Sequence, residues 1–214
     1  MKRLSAIFFL WLALWLPASY AQAPTPPDQL VRATTEEILR LLKVNRDLYQ
    51  RDKSALYGMV DEEVLPHFDF QRMSQWVLGR HWRTATPEQR ERFVKEFRDL
   101  LVRTYATALL NYRDEKVVYL PFTGKPDDKQ VIVRTAIKQS TGAPDIPISY
   151  SFYRKADGSW KVYDVSIEGV SLVTNYRTTY ADRIRRDGLD ALIASISRTS
   201  TQNVVPDKGK AARD

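Results

Sequence analysis

The sequence ISYSFYRKADGSWKVYDVSIE occupies residues 148–168 and contains two runs in which apolar and polar side chains alternate. The runs cover residues 148–154 and 160–168, and a short polar segment that includes Asp157-Gly158 separates them. Alternation with a period of two is typical of β-strands. Asp-Gly between two such runs favours a tight turn, because glycine tolerates positive φ. This stretch therefore predicts an antiparallel β-hairpin.

Two further strands are predicted just before the hairpin. Residues 117–122 and 131–137 alternate in the same way, and residues 124–129 form the turn between them. Four antiparallel strands in sequence order make a meander. Apolar or aromatic residues occupy both alternations, as in Val117-Val118-Tyr119-Leu120. We therefore expect both faces of the sheet to be at least partly covered.

Helical patterns flank the predicted sheet on both sides. Apolar residues recur at spacings of three and four over residues 28–49, 54–65 and 70–78, and again over 172–196. In the first of these stretches, one face carries Val31, Thr34, Ile38, Leu41 and Leu42. Helices packed on such a sheet make an α+β fold, here a four-stranded antiparallel meander wrapped by N- and C-terminal helices.

The clearest helix start is Thr86-Pro87-Glu88-Gln89. It combines an N-cap threonine, proline at the first helical position and glutamine where a capping box needs it. The helix that follows carries a wide apolar stripe of Phe93, Phe97, Leu100, Leu101, Tyr105, Ala108, Leu109 and Tyr112. Packing against a sheet explains this stripe, and lining a ligand cavity is the alternative.

The first 21 residues have the features of a secretory signal peptide. Lys2-Arg3 is a basic start, residues 4–16 are all apolar or small, and Ser19 and Ala21 suit cleavage after Ala21. The apolar run spans about 20 Å as a helix, short of a hydrocarbon core of roughly 30 Å, so cleavage is favoured over a membrane anchor. We expect one domain at residues 22–198 and a polar, disordered tail at residues 199–214.

Composition limits the chemistry that this chain of 214 residues can perform. It has no Cys and only two His, His67 and His81, so thiol chemistry is excluded and little is available for a metal site. Without the signal peptide, 31 basic and 26 acidic residues remain, a net charge of +5 that does not indicate nucleic-acid binding. We expect no enzyme activity, although an unrecognised hydrolase acting on exported lipid stays open.

Several motifs resemble those of the MlaC family, the periplasmic phospholipid-binding proteins also described as toluene-tolerance proteins. The similarity runs in family order from about residue 30 to residue 196, nearly the whole mature chain. The motifs that carry it are FDFQRMSQWVLGRHW (68–82), ATPEQR (85–90), VRT (133–135), WKVYDV (160–165), IEGVSLVTNYR (167–177) and GLDALI (188–193).

This resemblance implies a soluble periplasmic carrier without enzyme activity. Such a carrier holds a glycerophospholipid by its acyl chains and shuttles it between an outer-membrane MlaA-type lipoprotein complex and an inner-membrane ABC transporter, which maintains outer-membrane lipid asymmetry. The resemblance also implies a twisted sheet with an apolar lipid cavity between sheet and helices. We expect a monomer with no cofactor or metal and with lipid as cargo. An alternative is a periplasmic adaptor or assembly module that uses the apolar stripe as a protein interface.

The apolar stripe and the strands with two apolar alternations suggest which residues form the cavity wall. About half of this set is expected to be ordinary core instead. The candidates are Phe93, Phe97, Leu101, Tyr105, Leu109, Val118, Val133, Tyr150, Phe152, Val165, Val173 and Tyr176.

Three arginines that flank apolar motifs are candidates for contact with the lipid headgroup at the cavity mouth: Arg80, Arg134 and Arg177. The alternative for each is a surface arginine or a structural partner of Asp69 or Asp164. We expect Trp82, Trp160 and Asp164 to have structural roles.

Overall fold

The computed structural model describes residues 24–113, 115–139 and 142–201, so the predicted signal peptide lies outside the described residues. One antiparallel sheet follows the order of the chain, and the predicted α+β meander is confirmed. It contains five strands rather than four, because a two-residue strand is too short to show an alternation. The strands are β1 (Val117–Tyr119), β2 (Gln130–Ile137), β3 (Ile146–Arg154), β4 (Trp160–Ile167) and β5 (Val170–Ser171).

Strands β3 and β4 form the predicted hairpin, and Gly158 in its turn has a φ of 83°. A bulge interrupts their pairing: Ser151 lies opposite Asp164, whereas the next residue, Phe152, lies opposite Val162. Strand β4 therefore has an extra residue at this point. As a result Val162 and Val165, three positions apart, are both buried among the same core side chains.

The two faces of the sheet differ at the β1–β2 end. Val131, Val133 and Thr135 of β2 are buried, whereas Ile132 between them is 45% exposed and Val118 of β1 is 39% exposed. These two strands are therefore the less covered part of the outer face, in a sheet whose faces are both expected to be at least partly covered. No helix packs on their outer face among the described residues, so the apolar side chains there remain in contact with water.

The outer face is covered at the β3–β4 end. Tyr153 follows the inward-facing Phe152, and the Arg72 guanidinium lies 3.9 Å from the centre of the Tyr153 ring. Trp76 packs on Tyr163 with ring centres 5.4 Å apart. These two side chains come from one helix, which extends around the edge of β4.

Helices before the sheet follow the sequence pattern with two differences. The predicted helix over 28–49 is two helices that separate at Asn45, where φ is −109° and ψ is 22°. A short helix after Gly79 has no apolar periodicity and was not predicted. The helices are α1 (Pro27–Val44), α2 (Arg46–Arg51), α3 (Lys53–Glu63), α4 (Phe70–Leu78), α5 (Arg80–Thr84) and α6 (Pro87–Leu109), with a 3-10 turn at Leu65–His67.

The predicted capping box begins α6. The Gln89 amide N–H donates to Thr86 Oγ1 at 3.2 Å, and the Thr86 amide N–H donates to Gln89 Oε1 at 3.0 Å. The donors of both bonds are backbone N–H groups at the start of the helix, which have no hydrogen-bond acceptor within the helix itself. The capping box fixes the start of α6 at Pro87, and the helix continues for 23 residues.

Two helices follow the sheet, α7 (Leu172–Asp187) and α8 (Leu189–Thr201). Asp164 of β4 fixes the start of α7, because its carboxylate accepts bonds from Ser171 Oγ at 2.6 Å and from the Val173 amide at 3.1 Å. Helix α8 continues to Thr201, three residues into the range predicted as a tail. Residues 202–214 lie outside the described residues.

Helices α6, α7 and α8 enclose a buried cluster that we call the helical core. Ring centres of Phe93 and Phe97 are 5.6 Å apart, and Tyr180 packs edge-on against both. The helical core also includes side chains of α4, and its members are Met73, Val77, Leu78, Phe93, Phe97, Leu100, Leu101, Val173, Tyr180, Leu192, Ile193 and Ile196. Among residues 24–113, 115–139 and 142–201, every helix is too short or too polar to be a membrane span.

Candidate functional site

A cavity of about 280 Å³ lies between the inner face of the sheet and the helices that precede it. Its walls come from α1, the end of α3 with the 3-10 turn, the second half of α6, and strands β3 and β4. The volume is close to the lower end of the range of roughly 300–1,000 Å³ typical of small-molecule sites. Lining residues such as Thr34, Ile38 and Leu109 are only partly buried, so the cavity opens to solvent.

The sheet supplies one wall through strand geometry. Successive side chains of a strand point to opposite faces, so residues two apart share a face. In β3 this places Ile148, Tyr150 and Phe152 on the cavity. In β4 the bulge brings both Val162 and Val165 to the same wall.

Helix α6 supplies the opposite wall with a stripe along one face. Residues at spacings of one, four, five and eight lie on the same side of a helix. From α6 these are Leu101, Val102, Tyr105, Ala106 and Leu109.

Helix α1 closes a third side of the cavity with residues at helical spacing. Its contribution consists of Leu30, Val31, Thr34, Thr35 and Ile38.

The few polar groups on the wall are neutral near pH 7. Burial lowers the pKa of His67, Lys161 lowers it further, and Glu63 acts in the opposite direction. Burial raises the pKa values of Tyr105 and Tyr150. None of the described residues that line this cavity is Asp, Glu, Lys or Arg. The wall therefore suits an uncharged, apolar ligand, since a buried unpaired charge would be costly.

Six of the twelve predicted wall residues line the cavity: Leu101, Tyr105, Leu109, Tyr150, Phe152 and Val165. The structure places the other six elsewhere. Phe93, Phe97 and Val173 belong to the helical core, and Tyr176 packs against it. Val133 lies in the core under the sheet, and Val118 faces outward on β1.

The three predicted headgroup arginines do not line the cavity. Arg80, Arg134 and Arg177 are exposed. Arg134 alternates with the buried Val133 and Thr135, so it lies on the outer face of the sheet. Arg177 lies against Gly79, where an added Cβ would be 3.3 Å from its Nε.

Helix α1 and the 3-10 turn line the cavity although neither was predicted to do so. The signal was present in α1, because Val31, Thr34 and Ile38 share one face of its helical pattern. His67 and Phe68 gave no such signal, since a single turn of helix has no measurable periodicity. Their position depends on the Phe68 backbone, which pairs with Val162 of β4.

Among known protein families, the MlaC protein model matches residues 32–198 of this chain. The chain belongs to the MlaC family. The resemblance found in the sequence motifs is thereby confirmed. Within the residues that the structure describes, no group of three or more His, Asp and Glu side chains could hold a metal ion.

Two relatives of this chain match it over most of its length. The intermembrane phospholipid transport system binding protein MlaC of Haemophilus influenzae is 27% identical over 207 residues, which are 96% of each chain. The toluene tolerance protein ttg2D of Pseudomonas putida is 32% identical over 176 residues, which are 81% of this chain and 80% of that one.

A solved structure shares the MlaC fold seen here. It is the phospholipid-binding protein from Ralstonia solanacearum, determined in complex with a phospholipid. It is 32% identical to this chain with a TM-score of 0.76, and the match covers 84% of this chain and 99% of that one.

Proposed function

We propose that this protein is a carrier that holds a glycerophospholipid by its acyl chains in the apolar cavity. The observation that carries the proposal is the cavity itself, whose wall between α1, α6 and the inner face of the sheet has no charged side chain among its lining residues. The phospholipid bound to the Ralstonia relative supports it, because that protein shares the fold over nearly its whole length.

The energetics of lipid transport require such a cavity. Exposing about thirty methylenes of two acyl chains to water costs on the order of 20 kcal/mol, at about 0.8 kcal/mol for each methylene. A carrier must therefore replace most of the contacts that the chains make in a bilayer. Phe152, Leu101 and the other lining side chains provide apolar contacts for acyl-chain methylenes, and the headgroup can stay in water.

The carrier acts in the periplasm, between an outer-membrane MlaA-type lipoprotein complex and an inner-membrane ABC transporter. The name of the Haemophilus relative, an intermembrane phospholipid transport system binding protein, supports transport between membranes. The two partner complexes are what the resemblance to the MlaC family implies. Transport of this kind maintains the lipid asymmetry of the outer membrane. It needs binding and release of intact lipid, and no bond is made or broken.

Native mass spectrometry of the mature protein, purified without detergent, tests the proposal. We expect intact glycerophospholipid at about one or two molecules per chain, released when the protein is denatured. A folded protein that is empty and takes up no lipid from vesicles would contradict it and would favour the adaptor alternative. Lysolipid or free fatty acid appearing during incubation with phospholipid would instead indicate a hydrolase.

A further inference from the structure

A second cavity, of about 200 Å³, lies where α1 ends, beside α2 and the last turn of α6. Its character differs from that of the apolar cavity because two of its lining residues are cations, Lys43 and Arg46, and none is acidic. The rest of its wall is formed by Leu42, Tyr49, Leu109, Leu110 and Tyr112. We call it the basic cavity.

The basic cavity adjoins the apolar one. Leu109 lines both. On α1, Ile38 lines the apolar cavity and Leu42 lines the basic cavity. These two residues are one helical turn apart, about 6 Å along the axis at 1.5 Å for each residue. The basic cavity therefore lies beside the apolar one, on the side of the C-terminal end of α1.

A glycerophospholipid has its own fixed spacing between apolar and charged parts. Its phosphate is joined to the acyl chains through glycerol, so the phosphate must lie within a few ångströms of the place where the chains leave the apolar cavity. Among the described residues that line either cavity, Lys43 and Arg46 are the cations, since His67 is held neutral by burial. Their position matches the place that a bound lipid's phosphate would occupy.

We propose that the basic cavity receives the phosphate of the lipid whose acyl chains fill the apolar cavity, with Lys43 and Arg46 as the groups that bind it. This inference rests on the proposed carrier function and adds a headgroup site to it. Charge-assisted bonds from guanidinium and ammonium groups are the usual means of binding phosphate.

The Arg46 side chain is already held at the cavity wall. Its Nη2 donates to the Tyr112 carbonyl oxygen at 3.0 Å, just beyond the end of α6. A guanidinium has five N–H donors in a fixed plane, and this bond uses one of them. Lys43 is exposed on the last turn of α1, and its flexible stem lets the ammonium group reach a phosphate at the cavity mouth.

The site also determines which lipids are preferred. Phosphatidylglycerol carries a net negative charge, whereas the choline of phosphatidylcholine offsets its phosphate. Two cations at the headgroup therefore favour phosphatidylglycerol. The effect is modest, because partly exposed charge pairs contribute only about 0.2–1 kcal/mol each.

Lys43→Glu and Lys53→Glu form a matched pair of variants for the test. Both change the protein's charge by the same amount, and Lys53 at the start of α3 is exposed and lines neither cavity. Each protein is refolded with equimolar phosphatidylglycerol and phosphatidylcholine, and the bound lipids are released and counted by mass spectrometry. We expect the ratio of phosphatidylglycerol to phosphatidylcholine to fall about threefold in Lys43→Glu and to stay at the wild-type value in Lys53→Glu.

Arg46→Gln provides a second variant for the same measurement of the lipid ratio. Its thermal unfolding is measured as well, because the substitution also removes the hydrogen bond to the Tyr112 carbonyl oxygen. An unchanged ratio in Lys43→Glu, or an equal fall in Lys53→Glu, would overturn the headgroup site while leaving the carrier function intact. A wild-type protein that binds neither lipid would overturn both proposals. ³¹P NMR with inorganic phosphate separates the two sources of phosphate: equal binding to lipid-loaded and lipid-free protein would assign the basic cavity to free phosphate instead.

Discussion

Replacing Leu101 by Trp tests whether the apolar cavity holds the acyl chains. Leu101 is 7% exposed and lies on the α6 wall, where its side chain borders empty space. Leu101 also packs in the helical core. Its neighbour Leu100 is 9% exposed and packs there too, but it does not line the cavity. Leu100→Trp is therefore a control with the same chemical change one residue away.

The expected magnitude follows from the atoms added. Trp has six more side-chain heavy atoms than Leu, and each one that enters the cavity displaces about one methylene of the lipid. At about 0.8 kcal/mol for each methylene, this weakens lipid binding by about 5 kcal/mol, or more than roughly 10³-fold. At Leu101 the free energy of unfolding of the lipid-free protein falls by less than at Leu100, because part of the new ring enters the empty cavity. At Leu100 the ring overpacks a filled core and costs about 1–3 kcal/mol.

Two assays on the same preparations separate these effects. Native mass spectrometry gives the fraction of protein that retains lipid, and urea denaturation of the lipid-free protein gives the free energy of unfolding. We expect Leu101→Trp to retain much less lipid than the wild type with a small loss of stability, and Leu100→Trp to be less stable and loaded. A Leu101→Trp protein that folds and still carries a full complement of lipid would show that the acyl chains lie elsewhere.

Two further predictions concern stability. Asp164→Ala removes the acceptor for Ser171 and for the backbone at the start of α7, so we expect the free energy of unfolding in urea to fall by about 2 kcal/mol. Burial lowers the pKa of His67 below 6.5, so the unfolded state binds its proton more readily and stability falls as the pH decreases through this value. His67→Gln should lose less stability than the wild type between about pH 7.5 and about pH 5.5, and an equal loss would contradict the assigned cause.

Elements with local signals were predictable from the sequence. The capping box at Thr86 and the Asp-Gly turn at Gly158 act within a few residues, and both occur where the pattern predicts them. The break of the first helix at Asn45 was not predicted, because the apolar pattern continues through it into α2. The bulge in β4 was missed for a similar reason: it depends on how β3 and β4 pair, and neither strand alone encodes that register.

The candidate site was partly predictable because one apolar stripe serves two purposes. On α6, Phe93, Phe97 and Leu100 pack in the helical core and do not line the cavity. Leu101 belongs to both, whereas Tyr105 and Leu109 line the cavity. Both halves have the same spacing and similar composition. Only the docking of α7 and α8 against the first half divides them, and that docking is a long-range property.

The helical core also has a consequence for how such a protein can change over generations. Most of its members, including Phe93, Tyr180 and Leu192, make no part of the cavity wall. Substitutions around the cavity can therefore alter its depth or width while the packed helices keep the chain folded. A lineage facing longer or more branched acyl chains can adapt its binding surface in small steps, and each intermediate remains a folded protein exposed to selection.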